Sequence, residues 1–293
     1  MIVGLVGVGK MGRAVAERLV EQGHELLLWN RTAAKTEGIA GATPCPTPAE
    51  LAAGADVVLS ILANDEAIAA VYSGPVGLCS ADLNGTTIVE MCTTSPERAI
   101  ALEAEVRQCG GRFLECPVGG TIGPARAGQL MGLAGGSEGA FAAAKPVLED
   151  MTRRLEHLGP VGTGAAMKLA INLPLMVYWA AVGEAIAIAT EQGVEPELAL
   201  DILADSSGAI GAAKKRLPPI HAMLEHASPG GTNFSLANGV KDMKLMEAAL
   251  AERGIPSEVV SAARLKAEAA ANGGWSDHDV SLFGIFHQVA AKD

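Results

Sequence analysis

The sequence predicts an α/β protein, a doubly wound parallel sheet followed by an all-helical C-terminal domain. Three observations carry this expectation. The first half alternates short apolar runs with stretches of helical spacing. The chain opens on an apolar run, a glycine turn and a helix, with Gly4-Leu-Val-Gly7-Val8-Gly9-Lys10-Met11-Gly12 as the turn. From Gly162 onward strand-like runs largely vanish, and Ala-rich helical spacing continues to the end.

The opening segment is the most specific. Helical spacing at Ala14, Val15, Leu19 and Val20 ends at Gly23-His24, and a second apolar run follows at Glu25–Trp29. Strand, glycine turn, helix and strand within about 30 residues form the context of a dinucleotide fingerprint. Gly7 allows the tight turn, Gly9 lets the backbone approach a pyrophosphate, and Gly12 lets the helix lie close on the strand. The N–H groups of the helix start, with Val8, Lys10 and Met11 in the same turn, suit phosphate oxygens. The second strand ends Trp29-Asn30-Arg31-Thr32, with Lys35 beyond. An NAD site places Asp or Glu at this tip to hold the ribose 2′-hydroxyl. Here Asn30 suits the ribose, Arg31 the adenine or a 2′-phosphate, Thr32 can donate, and Lys35 adds positive charge. NADP is therefore expected over NAD.

Further strands are expected at Val57–Leu62, Thr87–Met91, Arg112–Glu115, Met131–Gly135 and Arg154–Leu158. Helices near 48–54, 64–72, 96–109 and 138–151 separate them. Ser95 followed by Pro96 marks a cap and a first helical position. The turn-rich Gly159–Gly164 places the boundary between a dinucleotide-binding domain, 1–161, and a helical domain, 162–293. The helix from about 165 to 192, roughly 40 Å long, is apolar on most sides, and Pro174 should bend it. Lys168, Asn172 and Glu184 interrupt it, so a buried helix is expected and not a membrane span. Following helices or a second subunit would cover it. The loop 227–235 is the most turn-like stretch.

The bulk properties narrow the function. Apolar residues make up 49% and charged residues 19%, which fits a folded chain of about two domains. A net charge of −11 argues against nucleic acid as a partner; the basic run Lys214-Lys215-Arg216 reads as a solvated helix end. Five cysteines, an odd count without a C-x-x-C pair, and a first strand that begins at the initiator Met point to reduced thiols in a cytoplasm. The six histidines show no H-x-x-x-H or H-E-x-x-H spacing, so no metal site is expected.

Four segments carry candidate chemistry. Glu90-Met91-Cys92-Thr93-Thr94 ends a parallel strand, where open α/β sheets bind ligands. In Glu115-Cys116-Pro117-Val118-Gly119-Gly120-Thr121, a glycine pair after a strand exposes backbone N–H groups to an anion. Cys92 and Cys116 read as small buried hydrophobes. Lys168 and Asn172, four apart, share one face of the long helix. Lys168 is expected in the first turn of that helix, where the positive end of the dipole disfavours its ammonium, and carbonyl reduction by hydride needs such a proton donor. Lys241-Asp242, after Phe234, is either a surface ion pair or a lysine that closes over nicotinamide or substrate.

Taken in order over essentially the whole chain, these segments resemble the β-hydroxyacid dehydrogenase family, which includes 3-hydroxyisobutyrate dehydrogenases, tartronate semialdehyde reductases and glyoxylate/succinic semialdehyde reductases. The resemblance implies a Rossmann domain with an all-helical domain, dimeric or tetrameric across the 165–192 helix. It implies Lys168 as general acid/base and Gly119, Gly120, Thr121, Asn172 and Phe234 at the substrate. Leu62, Ala63, Thr93 and Lys241 join the fingerprint residues at the cofactor. One departure bears on the substrate: the family serine that bonds its carboxylate is Gly119 here. Members acting on a sulfonated aldehyde share that glycine but follow it with arginine, where this chain has Gly120. Cys92 for serine and Glu115 for the common aspartate are milder changes. The function expected is NADPH-dependent reduction of a small aldehyde or keto acid, reversible as hydroxy acid oxidation. An imine reductase, which generally has Asp or Tyr at the position of Lys168, is the alternative enzyme. A non-catalytic dinucleotide-binding protein is the third reading, and the joint presence of Lys168, Asn172 and Lys241 speaks against it.

Overall fold

A computed structural model describes residues 1–211 and 213–290, without the side chains of 213–217. The Lys214-Lys215-Arg216 side chains therefore lie outside the described residues. The chain forms two compact units, Met1–Lys168 and Leu169–Asp293.

The first unit runs β1 (Ile2–Val6), α1 (Lys10–Glu21), β2 (Glu25–Trp29), β3 (Ala42–Pro44), α2 (Pro48–Ala53), β4 (Val57–Ser60), α3 (Asp65–Ser73), β5 (Thr87–Glu90), α4 (Pro96–Gln108), β6 (Arg112–Glu115), β7 (Val118–Gly119), α5 (Ile122–Arg126), β8 (Leu130–Gly136), α6 (Glu138–Met151) and β9 (Thr152–His157). Side chains that start helices explain several of the boundaries. Thr47 accepts from the Glu50 N–H and donates to its carboxylate, and Asn64, Ser95 and Ser137 each accept from a first-turn N–H. The central strands β4 and β5 are buried at every residue, as helices on both faces require.

The strand order is β3-β2-β1-β4-β5-β6-β8-β7, with β9 beside β8. Pairing is parallel from β3 through β6, which bears out the doubly wound sheet. Beyond β6 the pattern changes, because β8 runs antiparallel to both β6 and β7. Only residues 120–129 separate β7 from β8, too few for the crossover that a parallel neighbour needs. The chain reverses at β1, which lies between β2 and β4, so the crevice that binds ligands opens at the carboxyl ends of those strands.

A long helix, α7 (Thr163–Thr190), begins in the first unit and is followed by α8 (Pro196–Asp205), α9 (Ala213–His226), α10 (Leu236–Ala251), α11 (Glu258–Ala270) and the short α12 (Phe286–Ala290). Leu169, Met176, Trp179, Val182 and Ile186 form one buried stripe of α7 in the core of the second unit. Each contributes about 1.5–3 kcal/mol by burial. A Cβ on Gly183 would overlap the Gly284 backbone, and one on Gly284 the Trp179 carbonyl, so these two segments cross with backbones touching. One expectation for this helix needs correction. By length and mean hydropathy it would suffice to cross a membrane, despite its charges. Met167 is 42% and Ile188 74% exposed in this single chain. Beside the buried stripe, Leu173, Leu175, Val177, Tyr178 and Ala180 are partly buried against the same core.

Candidate active site

The fingerprint glycines hold the positions that their chemistry requires. Gly7 has φ +100°, and a Cβ there would overlap the Ile61 carbonyl oxygen. A Cβ on Gly12 would overlap the carbonyl oxygen of Gly7, so α1 can approach β1 only with glycine at this point. Around the Cβ position of Gly9, by contrast, nothing lies within 4 Å. That opening leaves the backbone at the start of α1 accessible, as a phosphate site at a helix N-terminus requires.

Asn30 joins this turn to the strand tip. Its Oδ1 accepts from the Val8 N–H at 3.0 Å, and its Nδ2 donates to the Thr32 carbonyl at 2.9 Å. Beside it lies a cavity of about 290 Å³ that brings together Gly9, Asn30, Arg31, Thr32, Lys35, Leu62 and Ala63. Among the described residues, its lining carries no carboxylate. Sequence reasoning missed the opposite wall, Ala67, Ala70 and Val71 of α3. The signal was present, since small residues at i, i+3 and i+4 share one helix face.

At the ends of β4 and β5, sulfur and carboxylate chemistry shape the loop that holds Thr93. Cys92 is not simply a hydrophobe. Its Sγ accepts from the Leu62 N–H at 3.0 Å and donates to the Leu62 carbonyl at 3.2 Å. Glu90, 1% exposed, accepts from Ser60 Oγ at 2.8 Å, Tyr72 Oη at 2.9 Å and the Cys92 N–H at 2.8 Å. Burial pushes the Glu90 carboxyl up and the Tyr72 phenol well up. Cys116 is fully buried, and burial pushes its thiol up to about 12, so it is no nucleophile.

Gly119 ends β7, and Gly120, at φ +132°, turns the chain into Thr121 at the start of α5. Lys168 is half-buried and is the sixth residue of α7, one turn further in than the first-turn position expected from the sequence, because the helix already begins at Thr163.

In the second unit, the Asn172 Nδ2 donates to Asp242 Oδ2 at 3.1 Å, and Lys241 Nζ lies 3.3 Å from Asp242 Oδ1. Asp242 is 1% exposed, which removes the reading of Lys241-Asp242 as a surface ion pair. Phe234 packs on the helical core, its N–H held by Asp279 Oδ2 at 3.3 Å. Asp279 also accepts from Asn233 and Ser281, and sequence reasoning missed it. A larger hollow of about 750 Å³, lined by Glu197, Leu198, Asp201 and His221, holds none of the predicted site residues.

A doubly wound sheet with this fingerprint, a basic strand tip and a helix-borne lysine define an NAD(P)-dependent oxidoreductase. Residues 2–159 match the NAD binding domain of 6-phosphogluconate dehydrogenase, and residues 162–283 the NAD-binding domain of NADP-dependent 3-hydroxyisobutyrate dehydrogenase. Glyoxylate/succinic semialdehyde reductase 2, chloroplastic, of Arabidopsis thaliana is 31% identical over 95% of this chain and 77% of its own. The mitochondrial 3-hydroxyisobutyrate dehydrogenase of Mus musculus is 32% identical over 79% of this chain and 69% of its own. The solved 3-hydroxyisobutyrate dehydrogenase of Mycobacterium tuberculosis, with L-serine, superposes at a TM-score of 0.82 with 27% identity, covering 98% of both chains. The chain belongs to the β-hydroxyacid dehydrogenase family.

Proposed function

We propose that the protein is a cytoplasmic, NADPH-dependent reductase of a small aldehyde or keto acid, reversible as a 3-hydroxyacid dehydrogenase. The observation that carries this reading is the cluster of Asn30, Arg31, Thr32 and Lys35 on one cavity, in a family fold whose long helix bears Lys168. When bound, the nicotinamide supplies or accepts the hydride. The turn from Gly7 to Gly12 receives the pyrophosphate, and Arg31 with Lys35 pairs the 2′-phosphate. Leu62, Ala63, Thr93 and Lys241 hold the rest of the cofactor. Backbone N–H groups at Gly119 and Gly120, with Thr121, Asn172 and Phe234, orient the substrate. Lys168 gives its proton to the carbonyl oxygen as the alcohol forms, and takes it back in the oxidative direction.

The test is NADPH oxidation with a panel of aldehydes, keto acids and cyclic imines. Turnover of aldehydes or keto acids is expected. Turnover of imines alone would make the protein an imine reductase, and NADPH binding without any turnover would make it a non-catalytic binder. Lys168→Ala should keep NADPH binding and lose roughly 10²–10⁴-fold in kcat. A variant that keeps more than about a tenth of kcat removes Lys168 from the chemistry.

A further inference from the structure

A buried carboxylate that this mechanism does not use stands at the start of the lysine-bearing helix. Glu115, the last residue of β6, is 2% exposed. Its Oε1 accepts from the Gly162 N–H at 2.6 Å and the Gly164 N–H at 2.8 Å, and its Oε2 from the Ala165 N–H at 3.2 Å. Such amides have no acceptor within the helix. An internal side chain, 47 to 50 residues earlier in the chain, thus takes the place that a local cap usually holds. It also sets negative charge at the positive end of the helix dipole. Thr163, the natural capping residue type, turns away and donates to the Pro160 carbonyl at 2.8 Å.

Glycines make room for this arrangement. A Cβ on Gly135 would overlap Glu115 Oε1. One on Gly164 would overlap the Leu133 carbonyl and lie 3.2 Å from the same Oε1, and Gly162 has φ +102°. Gly164 is thus required by the Leu133 carbonyl and Gly162 by its backbone angle, and both glycines turn their N–H groups to Glu115. Along the main chain, Cys116 alone separates Glu115 from Pro117–Thr121, the loop assigned to the substrate. Through its side chain it holds the turn that ends three residues before Lys168.

We propose that Glu115 is a positioning residue: its carboxylate sets where α7 begins, and so the direction in which Lys168 leaves the helix relative to the Pro117–Thr121 loop. The inference rests on the reading of Lys168 as acid/base. Burial raises the Glu115 carboxyl to about 7, against the pull of the three N–H groups, and the like charge of Glu103 on α4 adds to the rise. Glu90, its register partner on β5, is engaged with Ser60 and Tyr72, and the neighbouring Cys116 thiol is un-ionised.

The experiment follows the amide proton shifts of Gly162 and Gly164 by NMR in the full chain, from about pH 5 to 9, a span that brackets the Glu115 carboxyl at about 7. Both should titrate together with a midpoint of about 7, and the titration should vanish in Glu115→Gln. With NADPH and the best substrate of the panel, Glu115→Gln should lower kcat at least about tenfold while KM for NADPH moves less than about twofold. Glu115→Asp should recover part of the loss. Flat amide shifts in the unmodified protein, or a Glu115→Gln variant with undiminished kcat, overturn the proposal. If Glu115→Gln fails to fold, Glu115→Asp decides: a reduced kcat with KM for NADPH little changed is expected, and an undiminished kcat overturns the positioning role. If Lys168→Ala keeps its turnover, the acid/base reading fails while the amide titration still stands. If Lys168→Ala is inactive and Glu115→Gln fully active, the positioning role alone fails.

Discussion

Arg31 and Lys35 stand exposed at the tip of β2, where a dehydrogenase selective for NAD would carry a carboxylate. A guanidinium can pair a 2′-phosphate bidentately, and each charge-assisted bond contributes about 1.5–3 kcal/mol. Arg31→Ala should therefore raise KM for NADPH roughly ten- to hundredfold and leave NADH almost untouched. Equal kcat/KM for the two cofactors in the unmodified protein would show that Arg31 only stacks on the adenine. At Gly119 the missing hydroxyl makes the opposite argument. Gly119→Ser should improve kcat/KM for glyoxylate, succinic semialdehyde or 3-hydroxyisobutyrate, by an amount corresponding to one charge-assisted bond, about 1.5–3 kcal/mol. It should impair the native substrate by filling space. If kinetics on those three acids do not move, Gly119 does not face the substrate. The residue types at both positions were legible because they sit beside a local motif. The role of Cys92 was not, since its partner Leu62 lies 30 residues away.

At the scale of elements, the approach of α1 to β1 depends on one missing side chain. Gly12→Ala places a methyl group on the Gly7 carbonyl oxygen, so the helix must shift or the turn must open. Overpacking of this kind costs about 1–3 kcal/mol. Thermal unfolding should show a Tm lowered by several degrees, and the stabilisation by added NADPH should shrink as well. An unchanged Tm together with unchanged NADPH affinity would mean that the contact is relieved without cost. The elements that the sequence predicted well are those with their own punctuation, such as α4 behind Ser95-Pro96. The short β3 and β7 and the helix α5 carry no such signal, and β3 and β7 exist because a neighbouring strand offers hydrogen bonds.

Over the whole molecule, α7 poses a question of cover. One stripe is buried in the second unit, while Met167 and Ile188 remain exposed on a helix of high mean hydropathy. We expect a dimer or larger assembly through residues 165–192, because apolar surface on this scale is normally covered in soluble assemblies. Sedimentation at micromolar concentration should show it, and a monomer would contradict it. The sequence by itself determined the Rossmann domain, the helical domain and the basic strand tip, because periodicity, glycine turns and caps act over a few residues. Only the tertiary structure decided the antiparallel end of the sheet, the Asn172–Asp242 contact across 70 residues and the carboxylate of Glu115 at the start of α7. Those contacts join segments whose separation along the chain leaves no local pattern. They form because a buried polar group must find a partner wherever the fold supplies one.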